Sequence, residues 1–208
     1  MIPDSMVEQR LQQHFIDSAD LKYQAGPVLS KPLGLAVQAL LAGVTSGRKV
    51  LACGAGISGL LAAQFAAQFV GRFERERPSL AALALPCIPD DPLADTRQCA
   101  DAAGLARQVR ALGEAGDVLL AISPRGESAA VLAAAAAAHE RDMCVIALTG
   151  GVGSGAGGAL GRALRETDVQ VCVPHDRLSR IHEVHLVLLH CLCDAVDAQL
   201  LGEQELSA

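Results

Sequence analysis

The stretch from Gly116 to Ser128 constrains this chain more than any other. Val118 to Ile122 is an unbroken apolar run, too short for a buried helix and long enough for a buried strand. It breaks into Ser123-Pro124-Arg125-Gly126-Glu127-Ser128. Ala129 to Ala138 follows, built almost wholly of alanine, the strongest intrinsic helix former. Strand, short polar loop and helix are the unit of a parallel sheet. That order sets the loop at the carboxyl end of a strand, where open α/β sheets bind ligands. Hydroxyls and free backbone N–H groups at the head of a helix suit an anion such as phosphate.

The same alternation recurs along the chain. Lys49 to Ala52 starts a strand, Cys53-Gly54-Ala55-Gly56-Ile57-Ser58-Gly59 forms a turn, and a helix runs from Leu60 to about Val70. Leu80 to Leu85 is a second strand, and a helix from about Cys99 to Leu112 leads into the organising one. Cys144 to Leu148 and Val169 to Val173 are the fourth and fifth strands. The fourth ends in Thr149-Gly150-Gly151, and the glycine-rich segment from there to Gly161 is flexible or tightly turned. A last helix runs from Asp176 to about Leu201. Five strands with helical crossovers predict a doubly wound parallel sheet with helices on both faces. The Gly-x-Gly after the first strand lacks a Walker lysine, and Gly59 comes one residue early for a dinucleotide fingerprint. It shows only that backbone turns sharply there and approaches something closely.

Two helices are expected before the first strand. Met6, Leu11, Phe15, Ile16 and Leu21 give one apolar stripe, Gly26-Pro27 interrupts it, and a second helix starts at Pro32 and runs to Ser46-Gly47. The expected organisation is a single domain over 1–208, with helices in 1–47 used in oligomerisation and an α/β core in 48–208. A chain of 208 residues suffices for this. A net charge of −6, no Trp and one Tyr argue against nucleic-acid binding through phosphates or base stacking. Seven cysteines without zinc-ribbon spacing read as buried free thiols in a reducing cytosol. The charged N-terminus does not resemble a signal peptide. No run approaches the roughly 18–20 apolar residues of a membrane span. The expected location is therefore the cytoplasm, with no membrane partner.

Several motifs together carry a family resemblance. They are Cys53-Gly54-Ala55-Gly56-Ile57-Ser58, Arg72-Phe73-Glu74-Arg75-Glu76-Arg77-Pro78-Ser79-Leu80, Gln108 to Gly113, Gly116 to Ser123, Arg180-Ile181-His182-Glu183-Val184-His185 and Cys191-Leu192-Cys193-Asp194. The chain resembles the sugar isomerase (SIS) domain family along nearly its full length. Within it, the match is to the branch that holds the phosphoheptose isomerases and the DiaA-type proteins that associate with the initiator DnaA. The resemblance implies a flavodoxin-like five-stranded parallel sheet, an N-terminal helix pair and a homotetramer. In the isomerases it also implies a zinc site with a proton-moving carboxylate: a His and a Glu four apart on one helix, and a Gln and a His eight apart on another.

Those four positions are Gln64, Gln68, His182 and His190 here. An amide is neither a base near neutral pH nor a good zinc ligand. An Asn-Asp pair of the family falls on Arg97 and Gln98. The isomerase loop Ser-Thr-Ser-Gly-Asn-Ser reads Ser123 to Ser128 with Arg125 and Glu127 substituted, and Glu127 opposes an anionic sugar unless Arg125 offsets it. In the first loop Ala55 and Ile57 depart from the family, and Ile57 tolerates positive φ poorly. The expectation is a non-catalytic, DiaA-like adaptor that binds DnaA, with no cofactor and a degenerate metal site at Gln64, Gln68, His182 and His190. Phosphoheptose isomerase and phosphosugar sensor are the alternatives. Gly54, Ser58, Ser123, Arg125 and Ser128 are expected to cradle a phosphosugar, the alternative being that the serines only cap helices. Leu200 and Leu201 are read as partner-binding residues or as a packed last turn. His182, His185 and His190 are core or interface histidines, and Arg72, Arg75 and Arg77 form a solvated face with Glu74 and Glu76.

Overall fold

The computed structural model describes residues 4–87 and 102–202. Its elements in order are α1 (Asp4–Thr45), β1 (Val50–Gly54), α2 (Ile57–Val70), β2 (Ala82–Leu85), α3 (Ala102–Leu112), β3 (Val118–Ile122), α4 (Ala129–Glu140), β4 (Cys144–Gly150), α5 (Gly158–Ala163), β5 (Val169–Val173) and α6 (Leu178–Leu201). The five strands form one sheet in the order β2-β1-β3-β4-β5, with every pairing parallel. This is the flavodoxin-like order, whose direction switches between β1 and β3.

Side chains alternate across the strands and divide the core into two layers. Val50 and Ala52 of β1, Val118, Leu120 and Ile122 of β3, and Ile146 and Leu148 of β4 face α1, α2 and α6. Leu51, Cys53, Leu119, Ala121, Val145 and Ala147 face α3, α4 and α5. In the first layer Phe65 and Phe69 are fully buried and stack with ring centroids 4.7 Å apart. Each contributes roughly 1.5–3 kcal/mol by burial.

The expected N-terminal helix pair is one helix. α1 is continuous over 42 residues with Pro27 and Pro32 inside it. An interior proline costs about 3 kcal/mol through a lost N–H and a ring clash. Packing outweighs that cost because the buried stripe Leu21, Ala25, Leu29, Ala36 and Leu40 stays in phase across both prolines. The Ser30 hydroxyl also donates to the Gly26 carbonyl at 2.6 Å. α1 packs chiefly on β5 and α6. By length and composition α1 and α6 are each apolar enough to cross a membrane, which corrects the expectation that no stretch nears that limit. In the fold both lay a stripe on the first core layer.

Arg77 is not part of a solvated face. Its guanidinium is buried, 2.5 Å from Asp197 of α6, and it donates to the carbonyls of Gln68 and Phe69 at 3.0 and 2.9 Å. It therefore ties the end of α2 to α6. Arg75 donates to the Gly202 carbonyl, and Arg72 pairs with Glu76 in the open. Cys53, Cys144, Cys172, Cys191 and Cys193 are free. Burial pushes the Cys53 and Cys193 thiols up to about 12, so they are unreactive near neutral pH. Cys87 is disulfide-bonded, which corrects the expectation of free thiols throughout. Cys99, Arg97 and Gln98 lie outside the described residues.

Candidate active site at the switch point of the sheet

Cys53 lies beside Ala121 and Gly54 beside Ile122, so the loops after β1 and β3 leave the sheet side by side. In the first loop the backbone closes tightly: a Cβ on Gly54 would lie 2.6 Å from the main chain of Ser58. Gly56 has a positive φ of 58°, and Ile57 opens α2 with its side chain outward. The strain expected at Ile57 therefore does not arise.

The second loop is held by the end of the glycine-rich segment. α5 grows out of the glycine-rich stretch, and the Leu160 N–H donates to the Gly126 carbonyl at 2.8 Å. Gly126 has φ +67°, and a Cβ there would lie 1.8 Å from the Gly157 carbonyl oxygen. Glu127 accepts the Ala159 N–H at 2.9 Å and stands 3.8 Å from the Arg162 guanidinium. The Glu127 charge is thus offset by α5 and Arg162, where Arg125 was expected to do so.

Between the two loops opens a cavity of about 320 Å³, lined by Ala55, Ile57, Ser58, Ser123, Arg125, Glu127, Ser128 and His182. Four of the five expected cradle residues meet here. Gly54 does not line it and instead makes room for Ser58. Ser128 stands at the N-cap of α4 without a side-chain cap bond, so its hydroxyl is not spent on the helix. The Ser58 hydroxyl lies 3.5 Å from His182 Nε2. Burial lowers the pKa of His182, which favours its neutral form. A second cavity of about 420 Å³ adjoins through Pro124, Arg125 and Glu127 and reaches His175 and Asp176. These two residues were missed, although their place just after β5 puts them at the same carboxyl edge of the sheet.

The other three positions of the expected degenerate metal site lie along the seam between α2 and α6. Gln64 Nε2 is 3.2 Å from His190 Nε2, and the His190 ring packs on Phe73 with centroids 5.2 Å apart. Gln68 Oε1 accepts from the Cys193 thiol at 3.9 Å. His185 is fully buried and donates Nε2–H to the Thr149 carbonyl at 2.9 Å. Burial pushes its pKa down to about 4, making it a neutral core histidine.

A sequence profile described as the SIS domain matches residues 14–150. The chain belongs to the SIS domain family. This SIS domain is 59% identical to a phosphoheptose isomerase of Methylibium petroleiphilum, over 97% of the chain and 99% of the relative. It is 46% identical to a phosphoheptose isomerase of Azoarcus sp., over 94% and 98%. Its fold matches the solved phosphoheptose isomerase of Neisseria gonorrhoeae with a TM-score of 0.79 and 42% identity, covering 92% of this chain and 99% of that one.

These relatives overturn the DiaA-like reading. The adaptor expectation rested on Gln68 standing where a carboxylate was needed, as though proton transfer had no other carrier. The SIS cavity holds two other titratable side chains, His182 and Glu127. The zinc site implied by the resemblance does not fit the residues present. Amides stand at its His and Glu positions and an imidazole at its Gln position, so the carboxylate is missing; His182 lies beside Ser58, and among the described residues no three His, Cys, Asp or Glu side chains gather as a metal group. Leu200 and Leu201 end α6 and are 38% and 41% exposed, so the last turn is only half packed.

Proposed function

We propose that this chain is a phosphoheptose isomerase, interconverting sedoheptulose 7-phosphate and its aldose partner. The observation that carries the reading is the single cavity where Ser58, Ser123, Ser128 and His182 meet at the switch point. The full-length similarity to proteins named for this reaction supports it. Serine hydroxyls and the N–H groups heading α2 and α4 suit the phosphate. Aldose–ketose exchange removes a proton from the carbon beside the carbonyl and returns one to the former carbonyl carbon, while the two oxygens trade a proton. A neutral imidazole accepts and returns such a proton, and His182 stands at the wall of the cradle. Glu127 has one oxygen bound to Ala159 N–H and serves chiefly to hold the loop.

Purified protein supplied with sedoheptulose 7-phosphate should form the aldose phosphate above a protein-free blank, and no turnover would overturn the reading. His182→Ala should lower kcat by about 10²–10⁴. The cytoplasm is the compartment this reading implies. We further propose a homotetramer whose copies meet on the outer face of α1, where Phe15 and Tyr23 are 77% and 86% exposed. A chain of monomer mass in light scattering would refute that.

A further inference from the structure

At the four positions where the resemblance implies a zinc site, this chain has two amides on α2 and two imidazoles on α6, and no carboxylate. Zinc draws on imidazole, thiolate and carboxylate donors. Gln64 and Gln68 supply neither charge nor a strong lone pair. The Gln64–His190 contact of 3.2 Å goes further, because it occupies the ring nitrogen that a metal would need. With the amide nitrogen toward the ring, the imidazole lone pair accepts an amide N–H. With the amide turned over, the same nitrogen donates to the amide oxygen. Either arrangement engages Nε2 within the protein. Gln68 Oε1 faces the Cys193 thiol, which burial pushes up to about 12 and so keeps protonated. His182 stands beside Ser58 in the cradle.

We infer that Gln64 and His190 form a metal-independent amide–imidazole latch between α2 and α6, and that this chain holds no zinc at the seam. The latch ties the helix bearing Ser58 to the helix bearing His182, so it sets the cradle's width without an ion. The inference deepens the proposed isomerase reading in its bearing on activity, while the metal content stands independently of that reading.

The test is to equilibrate the whole chain with zinc chloride, dialyse it, and measure bound metal by mass spectrometry. Gln64→His/Gln68→Glu/His182→Gln, which restores the donor set, and His190→Ala are treated alike. The wild type should keep less than about a tenth of an equivalent at the seam, and the triple variant about one equivalent. Zinc should raise the melting temperature of the triple variant and leave that of the wild type unmoved. Stoichiometric zinc in the wild type that His190→Ala removes overturns the inference, whether or not the triple variant folds. Zinc that survives His190→Ala is held elsewhere and leaves the inference standing. Turnover separates the two readings. Activity that resists a chelator supports both. Activity lost to the chelator and restored by zinc overturns the latch alone. A zinc-free, inactive wild type overturns the isomerase reading alone.

Discussion

The cradle and the seam share two helices and differ in what they are built from. Ser58 and Gln64 both belong to α2, and His182 and His190 both belong to α6. The proposed cradle is built from tight turns, the heads of α2 and α4, and three serines. Ala55, Ile57 and Arg125 line the same cavity without disturbing those turns. At the seam, the chemistry rests on which atoms end each side chain, and here those ends are two amides, an imidazole and a thiol. A site made of backbone depends on the few glycines that let its turns close, whereas a site made of side-chain termini depends on every terminal group.

The sharpest way to break this contrast is at the far end of the seam. Asp197→Ala strips the partner from buried Arg77 and should destabilise the fold by about 3–5 kcal/mol, read as a shifted urea midpoint. If the loss is below 1 kcal/mol, the seam is not the structural brace described here. Acid comes next. Between pH 6.5 and about 4 the unfolded His185 binds a proton that the folded site refuses, so its contribution is complete above pH 6.5 and is lost as pH falls toward 4. The loss should be about 3 kcal/mol, and His185→Gln should flatten that slope in urea melts taken across the range.

Two cradle substitutions sharpen the other side. Gly126→Ala meets the Gly157 carbonyl at positive φ and should weaken sugar-phosphate binding through about 1–3 kcal/mol of strain in the loop. Calorimetric titration reads the affinity, and circular dichroism should show the sheet intact. Ser128→Ala removes a hydroxyl that caps nothing. It should cost about 1 kcal/mol of binding and less than about 0.5 kcal/mol of stability. Equal losses in both measurements would mean that Ser128 is a cap after all.

The strands were legible because apolar runs bounded by glycine and proline leave few other readings. β3 and β5 match their expected ends residue for residue. The meeting of the two loops was legible through punctuation: glycines and serines after a strand, before a helix. α5 was hidden because its six residues include two glycines and are held by contacts to Gly126 and Glu127, far away in sequence. Arg77 was hidden because it sits in an alternating run of Arg and Glu, and only Asp197, 120 residues on, reveals that it is buried. The continuity of α1 was concealed by local rules that rank Pro27 above a burial stripe no local window can see.

That long helix has a consequence for how the chain comes into being. Synthesis makes α1 well before its main partners, β5 and α6. A segment carrying two internal prolines gains little from winding up alone, so it must wait for the distant end to be translated before it settles. Its apolar stripe stays bare for nearly the whole of that interval, which makes the newborn polypeptide, rather than the finished molecule, the form most in need of a chaperone.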